Sequence, residues 1–322
     1  MRFKNLKSVP TKNMSNDDWL ELRKSSIGGS DAGAILGVNH YESPYSLYWK
    51  KVEGGLEPED ISDKPQIMFG NYMEPFVADM FEKETGKKVR NHNYMMYHKD
   101  YDFISANVDR VVIGENALLE CKTASEFKRS EWKDGNVPAS YMAQCYHYMA
   151  VTGADRVYIA VWFGNSGFHW DVIEYDQEII DDMVQAEVDF WNNHIIPKVE
   201  PETDGSLATK ETLSKLWLDN TKDNAVEIDS EKAVYFQAIK SIDQQTNELA
   251  LQKDEYVNKL KKILGENEEG ISDTHKITWK QQSTKRIDTK RLKKERPELF
   301  EEYSKETKSR RFSIKEINGQ SE

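Results

Sequence analysis

The spacing of hydrophobic positions changes along this chain, and the change divides it. Between residues 16 and 196, stretches with apolar residues every three or four positions alternate with runs that are apolar throughout or at every second position, as helices and strands require. The pattern predicts a first helix over 17–25. A glycine-rich turn follows, Ile27-Gly28-Gly29-Ser30-Asp31, and opens a small-residue helix that Ser30 is placed to cap. A short aromatic helix is expected over 45–53, a Gly-, Pro- and acid-rich loop over 54–66, and a helix over 68–85 that gathers Phe69, Met73, Phe76, Val77, Met80 and Phe81 on one side before Gly86. Strands are expected over 94–97, 103–112 and 117–123, then a helix over 139–151, strands over 157–163 and 168–174, and a long helix over 177–196 closed by Pro197. This is an α/β pattern around one core.

Beyond Pro197 the rhythm differs. Residues 197–210, with two prolines and Gly205, read as a linker. From Tyr235 to Ile263 the apolar positions fall at alternating spacings of four and three, an imperfect heptad interrupted at Thr246 and Lys253, which predicts a helical arm or hairpin ended by Gly265. A strand-like stretch over 271–280 and a basic helix over 286–303 complete the chain. The division is therefore a core over 1–200 and a mainly helical extension over 201–322.

At 322 residues the chain can hold one large core with an appendage. No stretch approaches the roughly 18 uncharged apolar residues of a membrane span, and the first residues lack the apolar run of a signal peptide, so a cytoplasmic protein with no membrane partner is expected. Two cysteines, Cys121 and Cys145, are too few for a disulfide scaffold or for an iron–sulfur cluster held by four thiolates. The net charge of -12 argues against nucleic acid only on average. Residues 273–315 carry 14 basic against seven acidic side chains, a local +7 of the kind phosphate binding uses, since screening over about 10 Å mutes distant acids.

The chemistry concentrates in residues 105–122, two apolar strands around a turn. Side chains alternate along a strand, so Glu120 and Lys122 share one face, and a two-residue Gly114-Glu115 turn sets Asp109 opposite Glu120. Two carboxylates and an ammonium then meet among Val108, Val111, Val112, Ile113, Leu118 and Leu119, where lone charges are costly unless a cation or partner accompanies them. Hard oxygen ligands of this kind suit Mg2+ or Mn2+. Three further elements meet the same chemistry. Glu74, read as early on its helix and followed by Pro75, presents a carboxylate. Gly28 to Asp31 offers backbone N–H groups and a hydroxyl to an anion, with Arg23 nearby. Gln144 and Tyr148, one turn apart on the 139–151 helix, are placed to line a strand channel.

The spacing Asp, ten residues, Glu-x-Lys resembles the site pattern of the PD-(D/E)xK nucleases. Together, Trp19-Leu-Glu-Leu-Arg23, Ile27-Gly-Gly-Ser-Asp-Ala, Gly70-Asn-Tyr-Met-Glu74-Pro, Val108-Asp109, Leu119-Glu120-Cys-Lys122 and Gln144-x-x-x-Tyr148-Met-Ala-Val-Thr-Gly153 resemble the YqaJ-like viral recombinase family, the branch that includes phage lambda exonuclease. The resemblance spans residues 17–196. It implies a restriction-endonuclease-like core, a central mixed sheet flanked by helices, in a phage or prophage protein acting inside a bacterial host. It implies an Mg2+- or Mn2+-dependent exonuclease, with two ions per site, that degrades one strand of linear duplex DNA from its 5′ end and leaves 3′ overhangs for a single-strand annealing partner. Carried over by position, Asp109, Glu120 and the backbone carbonyl of Cys121 hold metal, Glu74 sits near it, Lys122 acts on the attacking water, and Gln144 belongs near the cleaved strand. Arg23 and Ser30 match positions that hold the 5′-terminal phosphate, and Tyr148 is grouped with them on the DNA. Processive relatives close as trimeric rings, so a homotrimer is expected. The competing readings are another PD-(D/E)xK activity, such as an endonuclease, a junction resolvase or a Cas4-like end processor, and a non-catalytic DNA-binding recombination adaptor.

Overall fold

Strands whose side chains are apolar on both faces need cover on both faces, and the core supplies it. In a computed structural model, which describes residues 6–57, 61–219 and 225–315, the chain forms two compact units, Met1–Trp217 and Leu218–Glu322. The expected 54–66 loop passes through residues 58–60, and the C-terminal extension through 220–224 and 316–322, which lie outside the described residues.

The first unit is built on a five-stranded mixed sheet of β2 (Val89–Asn91), β5 (Arg110–Val112), β6 (Ala117–Ala124), β7 (Arg156–Phe163) and β8 (Gly167–Glu174), in the order β2-β5-β6-β7-β8. Only β6 and β7 run parallel. Their crossover contains a 3-10 segment over Glu126–Gly135 and the helix α5 (Ala139–Thr152). On one face Leu118, Val157, Ile159 and Val161 pack with Cys145 and Met149 of α5 and with Ile180 and Met183 of α6 (Gln177–Phe190). On the other, Leu119, Tyr158 and Ala160 pack with Val77, Ala78 and Phe81 of α4 (Pro65–Thr85). This is the helix-flanked mixed sheet expected of a restriction-endonuclease-like core.

A second sheet joins β1 (Ser8–Pro10), β3 (Tyr94–Tyr97) and β4 (Ser105–Asn107). Here the structure departs from the single strand expected over 103–112. That stretch is two strands, β4 in one sheet and β5 in the other, and the change of sheet falls at Val108 and Asp109. Other boundaries shift for local reasons. The helix α1 spans Asn16–Lys24, with the Ser15 hydroxyl accepting from the Asp18 N–H. The 45–53 helix begins a residue earlier, as α3 (Pro44–Lys51), because Ser43 caps it and Pro44 fills its first turn. The long helix ends at Phe190 and passes into a π-helical turn over Trp191–Ile195.

The expected linker is not free chain. The Glu200 carboxylate accepts from the Tyr45 hydroxyl at 3.1 Å, and α7 (Leu207–Leu216) sets Thr209 against Ser43, oxygen to oxygen at 2.8 Å. The second unit contains α8 (Val234–Leu264), one unbroken helix along the heptad-like stretch, ended at Gly265. It also holds the hairpin β9 (Glu269–Ile271) with β10 (Lys276–Thr278), and two short helices, α9 (Thr289–Glu295) and α10 (Pro297–Glu302), divided at Pro297. Among the described residues, no helix is long and apolar enough to cross a membrane.

Candidate active site

Three acids, a lysine and a glutamine are brought to the point where β5 begins. Arg110 stands opposite Leu119 and Val111 opposite Leu118, a register that places Asp109 opposite Glu120, with Gly114 in the turn at φ +88°. Alternation along β6 turns Leu118, Glu120 and Lys122 toward α5, and Leu119 and Cys121 toward α4. Beyond Arg110 the neighbouring strand has left for the other sheet, so the Cys121 N–H lacks a ladder partner there. Asp109 supplies one, its Oδ2 accepting from that N–H at 2.8 Å. A strand residue's N–H and C=O leave on the same edge, so the Cys121 carbonyl also faces this gap.

On the α5 side, Glu120 is 3% exposed. Its Oε1 accepts from Lys122 Nζ at 2.6 Å and from Gln144 Nε2 at 2.8 Å. Gln144 also accepts from Lys122 Nζ at 2.9 Å through its own Oε1, and donates to the Tyr148 hydroxyl at 2.7 Å. The Tyr141 ring lies under the ammonium, 4.9 Å from centroid to nitrogen. Tyr148, grouped with the DNA contacts on sequence, is 5% exposed, and its hydroxyl meets Gln144.

Burial first, and then the charge on Glu120, pushes the Asp109 carboxyl up to about 7. Burial alone would lower the Lys122 ammonium, but the Glu120 and Asp109 charges outweigh it and hold it above its ordinary value. Glu74 is likewise raised, by burial and by the charge on Asp109. It is not in a first helical turn, because α4 begins at Pro65; Glu74 lies mid-helix just before Pro75, and its carboxylate is paired with the Arg110 guanidinium. Arg110 also donates to the Asp109 carbonyl at 2.8 Å. Arg110 was not among the expected site residues. Its signal is a buried charge inside the apolar run from Val108 to Ile113.

The donor set suits a hard divalent cation. Among the described residues no three His, Cys, Asp or Glu side chains are grouped to hold a metal by themselves. Yet Glu120 Oε2 is buried with no hydrogen-bond partner among them, beside a second carboxylate that its charge disfavours. An unsatisfied carboxylate oxygen in a dry site is costly, and Glu120, Asp109 and the Cys121 carbonyl are the groups that would hold a divalent cation here, whose charge would offset that cost.

The glycine-rich turn packs against α5 at Gln144 and Tyr148. The helix α2 (Gly29–Ile35) is capped at Gly28, not Ser30; the Asp31 carboxylate accepts from the Gly28 N–H at 2.9 Å. Ser30 instead accepts from Arg23 Nη2 at 2.8 Å, and the guanidinium stacks over Trp19 at 4.8 Å. Asp31 is buried against Lys51 Nζ at 2.6 Å, and the same ammonium donates to the carbonyls of Arg23 and Ser26. Arg23 and Ser30 are thus held together, and Gly29 between them packs on Tyr148.

Comparison with known proteins gives the site its family context. The family model described as "YqaJ-like viral recombinase domain" matches residues 18–155, from α1 to the start of β7. A curated protein of Bacillus subtilis (strain 168), named "Uncharacterized protein YqaJ", is 39% identical over 307 residues, 95% of this chain and 96% of its own length. Among solved structures, the alkaline exonuclease LHK-Exo of Laribacter hongkongensis is 18% identical, with a TM-score of 0.48 over 55% of this chain and 92% of that one. A phage-related exonuclease of Haemophilus somnus 129PT is 12% identical, with a TM-score of 0.39 over 56% and 100%.

Proposed function

The chain belongs to the YqaJ-like viral recombinase family, and from that premise we propose that it is a divalent-metal-dependent exonuclease acting on the ends of double-stranded DNA. The observation that carries the reading is the facing pair of a half-buried Asp109 and a buried Glu120, with an orphaned oxygen on Glu120 and a lysine between the acids and α5. In this reading Asp109, Glu120 and the Cys121 carbonyl hold Mg2+ or Mn2+, with Glu74 able to join once released from Arg110. Two such ions, when bound, supply positive charge to the attacking and leaving oxygens of a phosphodiester. The protein's own contribution is orientation and proton control. Lys122, kept protonated by the two acids, holds the water or the scissile phosphate by charge. Gln144 fixes Lys122 and Glu120 in one arrangement, and the low-dielectric surroundings strengthen each contact.

We further assign the finer features to the same reading. Digestion proceeds from the 5′ end, with the Arg23 and Ser30 pair receiving the terminal phosphate, and leaves a 3′ overhang for a single-strand annealing partner in the host cytoplasm. A ring of three chains would retain the duplex between cuts.

The test is hydrolysis of linear and covalently closed duplex, labelled at either end, with Mg2+ and with EDTA. Loss of linear duplex only in Mg2+, with the closed circle intact and the 5′ label released first, is the expected result. Cutting of the circle would make the protein an endonuclease, and no metal-dependent hydrolysis of either substrate would make it a binding protein.

A further inference from the structure

The glycine-rich turn meets the α5 side of this site through a glycine. A Cβ at Gly29 would stand 2.5 Å from Tyr148 Cε1, closer than real Cβ contacts come, and 3.0 Å from Cζ and 3.1 Å from Gln144 Cγ, so the ring would have to shift. Gly29 is the first residue of α2, between Gly28, whose N–H is held by Asp31, and Ser30, which accepts from Arg23. The ring it touches belongs to α5, and that ring's hydroxyl takes one of the two amide hydrogens of Gln144. The other amide hydrogen goes to Glu120 Oε1, and Lys122 donates to the amide oxygen. Turned over, the amide would set its NH2 against the Lys122 ammonium and its oxygen against the Glu120 carboxylate, so one orientation alone satisfies every partner. Gly29, Tyr148, Gln144 and Glu120 are buried, and Lys122 is partly so. An amide hydrogen left without an acceptor there keeps its full desolvation penalty.

We infer that Tyr148 is a positioning residue: wedged on Gly29, it locks the Gln144 amide across Glu120 and Lys122, so that the Arg23–Ser30 turn and the cleaving side chains move as one body. The inference rests on the nuclease reading for its activity arm only. Tyr148 has no contact with solvent-borne substrate to make; its effect passes through Gln144. The approach itself calls for glycine, since a Cβ at residue 29 could be seated only by moving the Tyr148 ring, and with it the Gln144 amide that the ring's hydroxyl holds.

The experiment uses the full chain in four forms besides the wild type: Tyr148→Phe, Gly29→Ala, Tyr148→Leu, and Gly29→Ala with Tyr148→Leu. Tyr148→Phe keeps the ring and loses the acceptor. Its kcat on linear duplex should fall about tenfold at unchanged KM. Mn2+ affinity of the DNA-free protein, read by paramagnetic resonance titration, should fall severalfold, while duplex affinity in Ca2+ is retained. Gly29→Ala should lower turnover and Mn2+ affinity in the wild-type background, yet change them no more than about twofold where Tyr148→Leu has removed the ring atoms it strikes. A Tyr148→Phe protein with wild-type kcat and Mn2+ affinity overturns the inference. So do Gly29→Ala and Tyr148→Leu effects that simply multiply. The Mn2+ titration needs no turnover, so a wild-type protein inert on DNA would end the exonuclease reading while still judging the role of Tyr148.

Discussion

Asp109 is asked to ionise where burial and a neighbouring carboxylate both resist it. Its folded pKa of about 7 lies above the 3.8 of an ordinary aspartate, so between those values the folded protein holds a proton that the unfolded chain has lost. The sign follows: without metal, stability falls as pH rises from about 4 to about 7, by a few kcal/mol at most. Thermal unfolding in EDTA across that window should show the decline, Asp109→Asn should lack this increment, and Mg2+ should restore it above pH 7. For the same reason cation binding should expel about one proton below pH 7. Glu120→Gln and Lys122→Ala should each lower cleavage at least a hundredfold while duplex binding in Ca2+ survives; unchanged activity in either would end the assignment. At this scale much was legible in advance. The ten-residue spacing around a glycine turn fixes which side chains face each other, so Asp109, Glu120 and Lys122 could be placed from sequence. Arg110 on Glu74 and Gly29 on Tyr148 could not, because nothing local says which helix will lie against which strand.

The elements carry their own lesson in the stretch over 103–112. Its two halves are equally strand-like, so nothing in their residues marks the transfer from β4 to β5; pairing with β3 on one side and β6 on the other decides it. The early start of α4 was hidden similarly, because Pro65 sits in a segment whose composition reads as loop but suits a first helical turn. A further joint is held by a polar contact that the periodicity did not reveal. His147 of α5 donates from Nδ1 to Glu187 of α6 and from Nε2 to the Ser105 carbonyl of β4, each at 2.7 Å, all within the core. With an ionised Glu187 and a carbonyl as acceptors at its two nitrogens, the ring is favoured in its protonated form. Burial alone would lower its pKa, but the Glu187 charge raises it, so this stabilisation is full below about pH 6.5 and is lost as pH climbs through the raised value. His147→Ala should cost about 3–5 kcal/mol in urea unfolding by stranding Glu187, and His147→Leu with Glu187→Met should recover most of it. Equal destabilisation of the single and double variants would show that packing, not the pair, holds the joint.

The molecule as a whole is two compact units, and their boundary matters for dissection. A chain ended after Pro197 would lose α7 and the Thr209 contact to Ser43, whereas one ended after Trp217 keeps the first unit entire. The longer truncation should fold cooperatively and still cleave short linear duplex. Without the basic stretch over 273–315, its binding should weaken and depend less steeply on salt, measured as the slope of log affinity against log salt. An unchanged slope would assign that stretch to a protein partner. On α8, Tyr235, Ile242, Leu249, Tyr256 and Ile263 are all exposed, so self-association belongs in the same experiment, followed by light scattering as chain concentration rises. One consequence of the sheet change at Asp109 reaches beyond assembly. The Asp109 carboxylate stands where the chain crosses from one sheet to the other and is tied to the Cys121 N–H of β6, so any slippage of one sheet past the other would change its distance to Glu120. On the nuclease reading, heating should therefore silence cleavage several degrees before circular dichroism detects lost secondary structure, and gently warmed samples should regain full turnover on cooling.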